Sequence, residues 1–349
     1  MAAKRLISQG RPILWPQARR KASIFLLALW SLCLLSVFSV MLGFGVRQKL
    51  ILSGRMEAKD KLRFIAEAGL KKAVFELVRT PVSSYDSLND AWSNNPDALK
   101  EIPIGEGSAS VYYNIQLPGA QGDRYGFVDE ESKINLNRAD MQVLERLFRE
   151  ALGVNEGGLA EELAASIVDW RDADSQLSIP LGSAEDAYYR NSQFPYEAKD
   201  AEFDILEEAL LVKDMSQEIF DRVKDYITVY GSGKVNVNTA SKPVLMALGM
   251  NEETAGKLLS YRLGEDGVLG TPDDNIFYAA DEVTARLARS YDLSDPESES
   301  LKRIESNYLV TNSQNFTAKS SASLKNSKYV SSAACVVNRA GKILYWQEF

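Results

Sequence analysis

The sequence predicts an α+β protein: a long N-terminal helix that crosses a membrane and continues as a spine, an antiparallel β-sheet domain, and a large α-helical insertion built on a helix-hairpin-helix-like repeat. Three observations predict it. Residues 23 to 46 hold 24 positions without a charge, strand-like segments stand at both ends of the following body, and a twelve-residue pattern occurs twice between them.

As a helix, the uncharged run rises roughly 36 Å, enough to cross a hydrocarbon core of about 30 Å. Residues 1 to 22 before it carry Lys4, Arg5, Arg11, Arg19, Arg20 and Lys21 and no acid, whereas the rest of the chain holds 34 basic against 48 acidic groups. The positive-inside rule then places the leader in the cytoplasm and the acidic body outside, with Arg47, Lys49 and Arg55 blurring the contrast. A signal peptide is the competing reading, but its apolar region spans about 7–15 residues and ends at a small-residue site. This run is longer. From Arg47 to Arg79 there is no proline, and Leu50, Met56, Leu62, Ile65, Ala66, Leu70, Ala73, Val74, Leu77 and Val78 recur at spacings of three and four. One helix from Ser23 to Arg79, ended by Pro81, is expected, with Gly43 and Gly45 as competing break points. A plain membrane anchor with a stalk fits the pattern equally.

Beyond Pro81, Ser110–Leu117 and Arg124–Val128 read as strands, as do Ser313–Leu324, Lys328–Val337 and Lys342–Phe349. The last two are joined by Asn338, Arg339, Ala340 and Gly341, a hairpin signal. The expected domains are therefore a basic leader (1–22), a membrane helix (23–46), its amphipathic continuation (47–80), a β-domain (81–136 with 307–349) and an inserted helical domain (137–306).

Across the start of the insertion runs Lys133-Ile-Asn-Leu-Asn-Arg-Ala-Asp-Met-Gln-Val-Leu144, which matches Lys234-Val-Asn-Val-Asn-Thr-Ala-Ser-Lys-Pro-Val-Leu245 at Lys, both Asn, Ala, Val and Leu. Each copy precedes a helix ending in an aromatic-Arg pair, Trp170-Arg171 and Tyr261-Arg262. A helical packing unit explains this, as does a helix-hairpin-helix module for DNA. The hairpins, however, carry Glu252 and Glu253 in one copy and Gly153 to Gly158 with an acid in the other, where a phosphate would have to approach backbone N–H groups. An acidic body also repels phosphates. Composition therefore argues against nucleic acid as a partner.

There is no histidine, which excludes Ser-His-Asp, Cys-His and HExxH chemistry and leaves oxygen as the main metal donor. No nucleophile or phosphate cradle emerges, Gly264 to Gly270 fits no P-loop, and a non-enzyme is expected. Cys33 falls in the membrane run and Cys335 in an apolar strand, so no internal disulfide is expected. Two oxygen-rich loops are candidate calcium sites. The first holds Asp169, Asp172 and Asp174, followed by Glu185 and Asp186; the second, Gly264 to Asn275, holds Asp266, Asp273 and Asp274.

The stretch RRKASIFLLALWSLCLLSV resembles the leader junction of type IV pilin-like proteins. The resemblance implies cutting by a prepilin peptidase between Ala22, in place of the usual Gly, and Ser23, which would then be methylated. The fifth mature position, Glu in most members, is Leu27 here. A membrane carboxylate needs a partner, which in that family is the terminal amine of a neighbouring subunit; its absence is a trait of the minor pseudopilin K of type II secretion. Val168 to Asp174, Gly182 to Tyr189, Phe203 to Val212 and Val229 to Lys234 resemble that family in the same order. The resemblance implies a pseudopilus-tip subunit of the bacterial inner membrane with a periplasmic body. It implies partners among I- and J-type minor pseudopilins through the N-terminal helix and β-domain, and calcium at the first acidic loop. The second loop rests on composition alone. The rivals are a membrane-anchored DNA-uptake receptor and a single-pass sensor or adaptor.

Overall fold

The computed structural model describes residues 18–81, 83–153, 156–325 and 328–349, with side chains from Ile24 onward. Helix α1 runs from Ala18 to Arg79. It starts five residues before the expected Ser23, because Ala18 to Ala22 are good helix formers with no proline among them. Gly43 and Gly45 do not break it. Of the leader, residues 1–17 lie outside the described residues, as do the side chains of Ala22 and Ser23.

The chain divides into two units, Met1–Asp60 and Lys61–Phe349. Over its described residues the first is the N-terminal part of α1, in which every side chain from Ile24 to Glu57 is exposed. Ser31 and Ser36 donate their hydroxyls to the carbonyls of Leu27 and Leu32 at 2.9 and 2.8 Å, so both are satisfied within the helix as lipid requires. One helix of the described residues is thus long and apolar enough to cross a membrane.

The second unit holds two hydrophobic cores. In the first, Leu62, Ile65, Ala66, Leu70, Ala73 and Leu77 of α1 face an antiparallel sheet. The strands in chain order are β1 (Ile102–Ile104), β2 (Gly107–Val111), β3 (Tyr113–Leu117), β4 (Ala120–Arg124) and β5 (Val128–Asp129), followed after the helical lobe by β10 (Asn315–Leu324), β11 (Val330–Asn338) and β12 (Ile343–Glu348). The sheet order is β1-β2-β10-β11-β12, with β5 also on β10. Gly69 is the closest approach of helix to sheet: a Cβ there would lie 2.5 Å from Ser320 Oγ and 2.7 Å from Ala109 Cβ.

The segment expected as one strand over Ser110–Leu117 is two, parted at Tyr112, whose N–H donates to Lys319 O at 3.1 Å. β2 joins the main sheet, and β3 forms a separate hairpin with β4. The expected Arg124–Val128 strand is also broken. Gly126 packs against the backbone of Trp92 and Ser93, where a Cβ would come within 2.3 and 2.4 Å of their carbonyl oxygens, and β4 and β5 end on either side.

The second core starts at Ile134 and closes at Leu309, three residues outside each end of the expected 137–306 insertion. The reason is that short strands seal its ends: β6 (Ile134–Asn135) pairs in parallel with β7 (Ile227–Thr228), and β8 (Val235–Asn236) with β9 (Leu309–Val310). Around them pack α3 (Met141–Leu152), α4 (Gly157–Arg171), α6 (Gln217–Val223), α7 (Lys242–Ala247), α8 (Glu252–Arg262), α9 (Val283–Ser290) and α10 (Asp295–Tyr308). The short helical turns α2 (Pro96–Leu99) and α5 (Asp186–Tyr189) complete the set.

Candidate metal centre

The repeat read in the sequence is a repeat of hydrogen bonds. Asn135 Oδ1 accepts the Asn137 N–H at 2.8 Å, and Asn236 Oδ1 accepts that of Asn238 at 3.0 Å. Asn137 then holds the backbone of Phe203 at both ends, accepting its N–H at 2.8 Å and donating Nδ2 to its carbonyl at 3.0 Å. Asn238 does the same to Phe277, at 2.9 Å in both directions. The aromatic-Arg pairs belong to the same frame. Arg171 donates to Leu136 O and Ala139 O, and Arg262 to Ala240 O at 2.6 Å. Trp170 stacks on Phe203, and Tyr261 lies against Phe277. Each copy therefore pins two points of the chain, Arg171 with Phe203 and Arg262 with Phe277, and each acidic loop is the segment between them.

In the first loop, carboxylate oxygens of Asp172, Asp174 and Glu185 lie within 4.8 Å of one another. Asp172 is the C-cap of α4, where the helix dipole already disfavours an anion. Glu185 is the N-cap of α5 but makes no side-chain capping bond. Asp172 Oδ1 and Glu185 Oε1 are buried without a hydrogen-bond partner among the described residues. Burial, followed by the charges of Asp169, Asp172, Asp200 and Asp174, pushes Glu185 up to about 7. Asp172 is also raised, chiefly by burial. Like charges with orphaned oxygens in a partly dry site are what a hard cation neutralises.

Asp186 stands apart: it pairs with Arg190 at 2.7 Å and accepts the Ala198 N–H at 2.9 Å. Asp169, fully buried, accepts the Ser178 N–H at 3.0 Å and so fixes the loop behind the cluster. In the second loop the carboxylates are spent on the backbone. Asp273 accepts the N–H groups of Glu265 and Asp266 at 2.8 and 3.0 Å and the Thr271 hydroxyl at 2.7 Å, bonds that hold its carboxyl down at about 2, the hydroxyl contributing most. Asp266 accepts the Val268 N–H, and Asp274 that of Gly270. This loop also docks on the sheet domain: Leu269 enters the first core, donates its N–H to Gly119 O at 2.9 Å and accepts from Arg124 Nη1 at 3.2 Å.

The hairpin after α7 has no open anion site. Asn251 caps α8 by accepting the Thr254 N–H at 2.7 Å, Glu252 pairs with Lys242 at 2.7 Å and Glu253 with Lys257 at 2.9 Å. Leu27 is exposed in the apolar part of α1.

Sequence reading missed a third acidic group, Asp129, Glu130 and Glu131, all buried between the two cores. The available signal was three consecutive acids between the apolar Phe127-Val128 and the first Asn-x-Asn.

Residues 112–232 match the sequence family described as Type II secretion system (T2SS), protein K. No curated protein matches the chain significantly. Among solved structures the fold is similar to a chain of the GspK-GspI-GspJ complex from the enterotoxigenic Escherichia coli type 2 secretion system. The TM-score is 0.60 at 16% identity, covering 86% of this chain and 99% of that one. The matched segment contains the Trp170-Arg171 pair, the carboxylate cluster and the buried acids. Residues 112–232 thus match the protein K family of type II secretion, and the chain as a whole is similar in fold to that solved structure.

Proposed function

We propose that the chain is a minor pseudopilin at the tip of a type II secretion pseudopilus, a structural subunit rather than an enzyme. The observation that carries this reading is α1. One helix is exposed from Ile24 to Glu57, uncharged and largely apolar as far as Val46, and its residues from Leu62 to Leu77 lie in the core under an antiparallel sheet. An apolar surface of that extent has to be covered by lipid or by other helices, which suits a subunit held first in the inner membrane and then packed laterally in a fibre. On this reading the body is periplasmic, a prepilin peptidase removes residues 1–22, and Leu27 replaces the usual Glu because no subunit above supplies an amine. The partners are I- and J-type minor pseudopilins, the kind of assembly that the similar solved structure comes from.

The same proposal gives Asp172, Asp174 and Glu185 a calcium ion, which supplies charge neutralisation and fixes the loop between Arg171 and Phe203; Asp186, paired with Arg190 and bonded by the Ala198 N–H, stands outside that set. For Asp266, Asp273 and Asp274 the fit is poorer, since their oxygens already accept N–H groups of their own loop. The test is coexpression of the full chain with I- and J-type minor pseudopilins and purification from detergent through a tag on this chain. A complex with at least one of them is expected; recovery of the folded chain alone, with both partners folded in the same membranes, overturns the reading.

A further inference from the structure

The seam between the two cores carries an excess of buried acid. Asp86, Asp129, Glu130 and Glu131 are all buried there, and the cations that face them are Arg339, paired with Asp86, and Lys133, paired with Glu130 at 2.6 Å. Glu130 also accepts the hydroxyls of Thr228 and Thr317, one from each side of the seam, and Tyr230 is the neighbouring phenol. No lysine or arginine bonds Asp129 or Glu131 among the described residues. Asp129 is satisfied as an anion: it accepts Asn236 Nδ2 at 3.1 Å, Thr239 Oγ1 at 2.6 Å, Ser313 Oγ at 2.7 Å and the Glu131 N–H at 2.8 Å. Those donors come from β8 and the following turn on one side and from the approach to β10 on the other.

Glu131 is placed differently. One oxygen accepts the N–H groups of Gln314 and Asn315 at 3.2 and 3.0 Å, and the other faces only the Asn315 side-chain amide at 2.9 Å. Gly231 closes over it, so tightly that a Cβ there would lie 2.8 Å from Oε1, and leaves little room for hydration. Two ionised carboxylates without a cation, two positions apart in the chain and both out of water, cost far more than one. The neutral acid fits the same place: its carbonyl oxygen keeps the two backbone N–H groups, and its O–H donates to the Asn315 amide oxygen once that amide is turned over.

We propose that Glu131 is a protonated glutamic acid that locks the helical lobe to the sheet, and that removing its proton loosens this seam. Burial first and the charge of Asp129 second push Glu131 up to about 8, and Asp129 itself is raised by burial; the two titrate as a pair. With a folded value above the ordinary 4.5, the contribution of Glu131 is complete below about 4.5 and is lost as pH rises through about 8.

The full chain in detergent micelles, with calcium held at one saturating concentration, tests this by infrared spectroscopy and thermal unfolding. A neutral carboxylic-acid carbonyl band is expected at about pH 6 that fades as pH passes about 8 and is missing from Glu131→Gln, a neutral isostere with the same donor and acceptor. The wild-type Tm should fall relative to the variant between about pH 5 and 9. Identical pH curves for the two proteins overturn the proposal. If the variant does not fold, a wild-type spectrum with no carboxyl titrating near pH 8 overturns it equally.

Discussion

Asn238 grips Phe277 by both backbone groups, accepting its N–H and donating to its carbonyl at 2.9 Å each, with Asn238 almost fully buried. The bond pair fixes the far end of a loop whose near end Arg262 fixes through Ala240 O. Asn238→Ala leaves a buried N–H and carbonyl without partners, at about 1–3 kcal/mol each in the first approximation. A loss of about 2–4 kcal/mol in denaturant unfolding is expected, and a similar loss for Asn137→Ala at Phe203. A change below about 0.5 kcal/mol in both would show that the Asn frame is dispensable.

The carboxylate cluster should couple metal to pH. Without metal, Glu185 has a folded value of about 7 against an ordinary 4.5, so its contribution is complete below about 4.5 and declines as pH rises through about 7. Calcium bound at this cluster would remove that decline by stabilising the ionised form, and its binding would release a proton below pH 7. Calorimetry should show a calcium-dependent rise in Tm that is larger at pH 8 than at pH 5.5 and disappears in Asp172→Asn with Glu185→Gln. Equal Tm values in chelator and in millimolar calcium at pH 8 would remove the metal.

Gly69 sets the distance between α1 and the sheet. Gly69→Val drives a branched side chain onto Ser320 and Ala109 and should cost about 1–3 kcal/mol by overpacking. Gly54, with open space around its Cβ position, is the control; its alanine variant should leave the unfolding midpoint unchanged or slightly raised.

Leu27→Glu restores the residue that most pilin-like subunits carry. In a subunit with no neighbour above, the new carboxylate has no amine and costs about 3 kcal/mol in the span. Reduced membrane insertion or reduced recovery with I- and J-type partners is expected, measured against wild type at equal expression. Improved assembly would place this chain within the shaft instead of at its tip.

Much of this was legible because it is local. The uncharged run, the heptad-like spacing to Leu77 and the Asn338–Gly341 hairpin are set by near neighbours, and each appears within a few residues of its expected place. The repeat was also legible, but its meaning was not. Nothing in one sequence shows that Asn137 and Asn238 reach 66 and 39 residues ahead to Phe203 and Phe277. The two acidic loops looked alike in composition and differ in geometry, because Asp273 and Asp266 turn their oxygens onto their own loop while Asp172 and Glu185 do not. The strand breaks at Tyr112 and Gly126 depend on contacts with Lys319 and Trp92, and the buried acids at 129 to 131 on partners from β8 and β10, all far away in the chain.

The most direct measurement is N-terminal sequencing of the membrane-bound full chain after coexpression with a prepilin peptidase. The leader is expected to be gone and the first residue to be Ser23, carrying a methyl group on its amine. An intact Met1 terminus in the presence of active peptidase, with a known pseudopilin cut in the same cells, would contradict it.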